Sequence, residues 1–170
     1  MKHRFALILP LMAVLAYPGL SVASGAGNHT HATPSPSGSG KYTGHAAPLG
    51  QPGLANEAKR TVEVDMADTM RFKPEKIEIK QGDTVRFVVR NSGMLKHEMV
   101  LGTTAELKAH AKEMAKAPNM EHDDPNAVSV DPGKTGEFVW KFTKTGSFDF
   151  ACLLPGHFDA GMKGRIAVKK

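Results

Sequence analysis

The sequence predicts an all-β fold, a Greek-key β-sandwich of seven to eight short strands with one short inserted helix. Two observations point there. From Arg60 onward, short runs alternate apolar and polar residues and are separated by Gly, Pro, Asp and Asn turns. One stretch alone, beginning at Thr103, carries helical spacing. The chain holds a single cysteine, Cys152, so no internal disulfide can supplement the core. Arg60 to Lys170 spans 111 residues, enough for one modest core.

The elements follow in order. Val62, Val64 and Met66 alternate with Glu63 and Asp65, as in a half-buried strand. Ile77 and Ile79 mark a second strand after Pro74. Gln81-Gly82-Asp83 then turns into a third, where Val85, Phe87 and Val89 share a face. Asn91-Ser92-Gly93 ends it, and His97 to Leu101 is a fourth. Thr103-Thr104-Ala105-Glu106 fits a capping box, with Leu107, Ala111, Met114 and Ala115 on one helical face and Pro118 as the stop. Strands resume at Ala127 to Val130. After Asp131-Pro132-Gly133, Phe138, Trp140 and Phe142 share a face. Gly146 to Ala151 and Lys163 to Lys169 close the chain.

Ahead of this domain, residues 1–26 read as a secretory signal. Lys2, His3 and Arg4 precede an apolar run from Phe5 to Leu15, and cleavage is expected after Ala23 or Ala26. The run is too short for stable membrane insertion. Export implies a periplasmic protein, expected to be a monomer. Residues 27–59 are rich in Gly, Ser, Pro, Ala and Thr and read as a disordered tail carrying His29, His31 and His45. Loss of Lys2 and Arg4 from 22 basic residues leaves 20 against 17 acidic, a net +3. With no basic block, nucleic acid is not an expected partner.

The chemistry concentrates in Cys152-Leu153-Leu154-Pro155-Gly156-His157-Phe158-Asp159-Ala160-Gly161-Met162. A thiolate, an imidazole and a thioether on one loop form a soft-to-borderline ligand set. That set suits copper cycling between Cu(I) and Cu(II), in which two imidazoles and a thiolate bind with a weak axial methionine. The second imidazole has to come from elsewhere, and His97 is the best candidate. An exported lone thiol with such neighbours is better explained as a ligand than as an inert core cysteine. His157 is expected to expose a ring edge beside Leu154, Pro155 and Phe158, an apolar patch for a redox partner.

These residues resemble the cupredoxin (blue, or type 1, copper) family: a lone His after the early strands, then Cys, His and Met on the last loop. The run Met70-Arg71-Phe72-Lys73-Pro74 … Ile77 to Val85 is similar to the family's N-terminal half. The resemblance covers Arg60 to Lys170 and implies one type 1 copper ion held by His97, Cys152, His157 and Met162. The tail histidines and Lys96-His97-Glu98-Met99 look most like periplasmic cupredoxins of copper tolerance. Two positions depart from the pattern. Azurin-like loops have one residue fewer between His and Met. Glu98 replaces the usual Asn, either exposed at the surface or tied to Lys96 or Lys163.

The expected function is one-electron redox at copper with a role in copper tolerance; the alternative is a non-redox storage or delivery module. A thiol enzyme using Cys152 and His157 lacks a third orienting residue, so no enzyme is expected. Other soft residues carry two readings. Met94, Met99, His110, Met114, Met120 and His122, with Met66 and Met70, serve as core packing or as a second Cu(I) site. The tail histidines are incidental to a solvated linker or capture copper. In the second case, cleavage after Ala26 exposes Gly27-Asn28-His29, whose amine, amides and imidazole suit square-planar Cu(II).

Overall fold

The computed structural model describes Gly44, residues 46–116 and residues 124–170. The expected signal, His29, His31, His45, Met120 and His122 lie outside the described residues. The described strands are β1 (Gly50–Pro52), β2 (Arg60–Ala67), β3 (Arg71–Lys73), β4 (Lys76–Lys80), β5 (Thr84–Asn91), β6 (His97–Gly102), β7 (Ala127–Val130), β8 (Thr135–Phe142), β9 (Gly146–Ala151) and β10 (Lys163–Lys169), with one α-helix, α1 (Thr104–Lys116), after β6. Two five-stranded sheets form, in the orders β1-β8-β5-β2-β3 and β4-β10-β9-β6-β7. Both are mixed: β2 runs parallel to β5 and β4 parallel to β10, while the other pairs are antiparallel.

Every strand expected from alternation is present, and the reason is visible in the core. Val62, Val64, Met66, Val85, Phe87, Val89, Phe138, Trp140 and Phe142 face inward from the first sheet. Ile77, Ile79, Met99, Leu101, Phe148, Phe150, Ile166 and Val168 meet them from the second. Phe72 on β3 packs edge-on to Phe150 on β9, centroids 5.0 Å apart, which joins the sheets.

The β6 strand breaks the rule of alternation: all six of its residues are buried. Met99 and Leu101 enter the main core, while Val100 on the opposite face lies under α1 with Leu107, Met114, Ala151 and Leu153. The capping box forms as expected. The Thr103 N–H donates to Glu106 Oε2 at 2.8 Å, and the Glu106 N–H donates to Thr103 Oγ1 at 3.2 Å. The helix face differs by one residue, because His110 is buried and Ala115 is exposed.

The fold begins before Arg60, where the tail was expected to run to residue 59. The short strand β1 pairs with β8, Gly50 opposite Phe142, and Ala46 and Leu49 are fully buried in the main core. Leu49 is a large apolar side chain next to an open sheet edge, and burying it there draws residues 46–52 into the sandwich. A side chain at position 50 would sit 1.9 Å from the Lys141 carbonyl oxygen, so the close approach of β1 to β8 requires glycine. Two strands of three residues, β1 and β3, bring the count above the seven to eight expected.

Candidate metal centre

His97 opens β6, at the end of a loop that Asn91 organises. The buried Asn91 side chain donates to the carbonyls of Leu95 at 2.7 Å and Val130 at 2.9 Å, and accepts the Gly93 N–H at 2.9 Å. All three bonds are buried or partly buried, so Asn91 satisfies backbone groups of the loop that water does not readily reach.

Cys152 follows β9 directly and is fully buried. The loop after it folds back on itself. The His157 N–H donates to Leu154 O, the Met162 N–H to His157 O, and the Cys152 N–H to Met162 O, each at 3.0 Å. Backbone bonds thus tie Cys152, His157 and Met162 to one another. Gly156 and Gly161 take positive φ, +84° and +94°, which lets the chain reverse twice between Leu154 and Met162. Arg71 Nη1 donates to Ala160 O at 3.0 Å and anchors the far side of the loop to β3.

Three ligand atoms converge. His97 Nδ1 lies 3.2 Å from His157 Nδ1, and Cys152 Sγ lies 3.2 Å from the same nitrogen. All three lie within 4.8 Å of one another, and they are the one such group of His, Cys, Asp and Glu among the described residues. His97 is fully buried and His157 half-buried. Burial pushes the Cys152 thiol up to about 12, with the nearby Glu98 charge raising it further and the Glu98 and Leu154 backbone N–H groups opposing. Burial and the neighbouring His97 hold His157 below the usual imidazole range. The metal-free site therefore keeps a neutral thiol and a neutral His157 imidazole at neutral pH. Two imidazole nitrogens and a sulfur aimed at one point fit a borderline-soft metal such as copper. Met162, fully buried, lies in the same core cluster as Cys152.

Glu98 is not exposed at the surface. It is buried, its Oε1 accepts the Leu153 N–H at 2.8 Å, and Ser129 Oγ lies 3.4 Å from Oε2. The inward turn of residue 98 follows from β6 being covered on both faces. Asp68, in the turn between β2 and β3, is a further residue the sequence did not mark: its Oδ1 lies 3.0 Å from His97 Nε2.

The methionines do not gather into one described cluster. Met66 and Met99 belong to the main core with Met70 packed against it, Met114 lies under α1, and Met94 is 81% exposed. Beside His157 in the loop, Leu154 and Phe158 are half-buried and Pro155 is exposed; Leu95 is exposed on the loop ahead of β6, as Met94 is.

Comparison with known proteins agrees with this geometry. Residues 58–169 match the family of copper binding proteins described as the plastocyanin/azurin family. A copper-resistant cuproprotein, CopI, of Rubrivivax gelatinosus is 49% identical over 173 residues, covering 99% of this chain and all of that protein. CopI of Pseudomonas aeruginosa is 40% identical over 154 residues, 74% of this chain and 84% of its own. Among solved structures, auracyanin B superimposes with a TM-score of 0.58 at 24% identity, covering 72% of this chain and 97% of that one, which supports the fold. The chain belongs to the plastocyanin/azurin family of copper-binding proteins and has the cupredoxin fold.

Proposed function

We infer that this is a periplasmic type 1 copper protein that carries one electron at a time and serves copper tolerance. The observation that carries the reading is the convergence of His97 Nδ1, His157 Nδ1 and Cys152 Sγ on one point at the end of the sandwich. His97, Cys152 and His157 would hold the copper, with Met162 as a weaker fourth ligand. Copper bound there supplies the Cu(I)/Cu(II) couple. The protein's part is rigidity. Both imidazoles and the thiol stand on hydrogen-bonded strand ends and a closed loop, so little rearranges when the charge of the centre changes. Exposed Pro155 with half-buried Leu154 and Phe158, beside half-buried His157 in the loop, serves as the docking face for a redox partner. The protein works as a monomer and is not an enzyme.

Copper tolerance is inferred from the names of the relatives, both called copper-resistant cuproproteins. The test is a visible and EPR spectrum of the Cu(II)-loaded protein together with its voltammetry. Strong thiolate-to-copper absorption, lost in Cys152→Ser, and a reversible one-electron wave are expected. An unchanged colour in Cys152→Ser would overturn the ligand assignment. Coloured protein with no reversible wave would leave storage or delivery as the function.

A further inference from the structure

We propose that Asp68 is a positioning residue for the copper centre: it fixes His97 with its Nδ1 lone pair toward the metal and biases the couple toward Cu(II). This rests on His97 being a copper ligand, as argued above.

One carboxylate gathers the loop that leads into the ligand. Asp68 Oδ2 accepts the Met94 N–H at 2.8 Å, while Oδ1 accepts the Leu95 N–H at 3.2 Å and lies 3.0 Å from His97 Nε2. A carboxylate can only accept, so His97 Nε2 carries the hydrogen, which leaves Nδ1, the nitrogen facing His157, as the one to coordinate a metal. His97 is fully buried while Asp68 is exposed, so the carboxylate stands between the ring nitrogen and solvent. The packing around the carboxylate is close. A side chain at position 93 would place its first carbon 2.1 Å from Asp68 Oδ1, which excludes any residue but glycine while Asp68 holds this position.

Two effects follow. The fixed tautomer presents Nδ1 ready to coordinate, and the negative charge behind the ring makes that nitrogen a stronger donor, which favours the more highly charged metal state. Asp68→Asn and Asp68→Ala separate them. The amide of Asp68→Asn keeps its oxygen to accept from Nε2–H and loses the charge, together with the oxygen that accepts the Met94 N–H; Asp68→Ala loses every acceptor and the charge.

The first measurement is the midpoint potential of each copper-loaded variant. Removing the charge is expected to weaken Cu(II) relative to Cu(I) binding about tenfold, a rise of about 59 mV for one electron. The second is nitrogen NMR of His97 in the copper-free protein, which reads the tautomer without any metal. A single Nε2–H form is expected in the wild type and in Asp68→Asn, and a mixture in Asp68→Ala. A relative affinity change under twofold in Asp68→Asn would overturn the charge bias, and an unchanged tautomer in Asp68→Ala would overturn the positioning. If Asp68→Ala does not fold, a single Nε2–H form in Asp68→Asn supports the positioning and a mixture or an Nδ1–H form overturns it. A wild-type protein that binds no coloured copper would instead refute the function proposed above and leave the NMR result standing.

Discussion

The carboxylate of Glu98 accepts the backbone N–H of Leu153 at 2.8 Å, linking the residue after one copper-ligand candidate to the residue after another. His97 and Cys152 belong to different strands, β6 and the end of β9, and this buried bond holds them in register beyond the point where the sheet pairing stops. Glu98→Ala would leave the Leu153 N–H buried without its acceptor. A loss of about 1–3 kcal/mol is expected in denaturant unfolding of the copper-free protein, with Glu98→Gln recovering most of it because its amide oxygen still accepts. Equal stability of the two variants would show that the bond contributes nothing.

The N-terminal boundary gives a second prediction. A chain starting at Gly44 is expected to fold with full stability, whereas one starting at Arg60 lacks β1, Ala46 and Leu49. Leu49→Ala alone is expected to cost about 2–5 kcal/mol, as for other fully buried leucines. Thermal unfolding of the three proteins checks this. A chain from Arg60 as stable as the longer one would place residues 46–52 outside the cooperative unit.

Proton release accompanies metal binding. The buried Cys152 thiol is pushed up to about 12 and is protonated at neutral pH; as the proposed thiolate ligand it would have to lose that proton when copper binds. One proton is expected per copper bound near pH 7.5, read with an indicator dye, and none from the Cys152→Ser protein. The same shift sets an alkaline limit on the copper-free fold. The ordinary thiol value is 9.0, so the contribution is complete below pH 9 and is lost as pH rises toward 12, at up to ~1.4 kcal/mol per pH unit. His157 acts at the other end. Its value is lowered, so protons compete with metal for its nitrogen only at more acid pH than for an ordinary imidazole.

Met162 separates packing from coordination. Leucine has nearly the same volume, so Met162→Leu in this fully buried position is expected to cost less than about 1.5 kcal/mol in the copper-free protein. The loaded variant is expected to keep its colour with a shifted potential and altered band ratios. An unchanged spectrum and potential would remove Met162 from the ligand set.

Deleting the gene is expected to sensitise cells to added copper and to leave respiration at low copper nearly unchanged. Cys152→Ser should fail to rescue growth, while replacing His29, His31 and His45 should cost only part of the tolerance. A respiratory defect with normal copper tolerance would favour a dedicated electron carrier.

Much of this protein is written locally. Phe138, Trp140 and Phe142 alternate because each faces the same core, and Thr103 with Glu106 closes its cap within one helical turn. His97, Cys152 and His157, which the fold brings together, stood out as candidates because few residue types suit copper and two of the three share one short loop. The tertiary structure alone decided what surrounds them. Asp68 carried no mark in sequence, Asn91 read only as a turn residue and Glu98 gave no sign of burial, since their decisive partners include Leu95 and His97, Val130, and Leu153, up to 55 positions away. The β1 strand was missed for the same reason: Gly50-Gln51-Pro52 has no periodicity of its own and is a strand only because β8 offers an edge and the core has room for Leu49. Alternation reports which face of a segment meets apolar packing. A hydrogen bond between distant segments leaves no such period, and it exists only once the chain has folded.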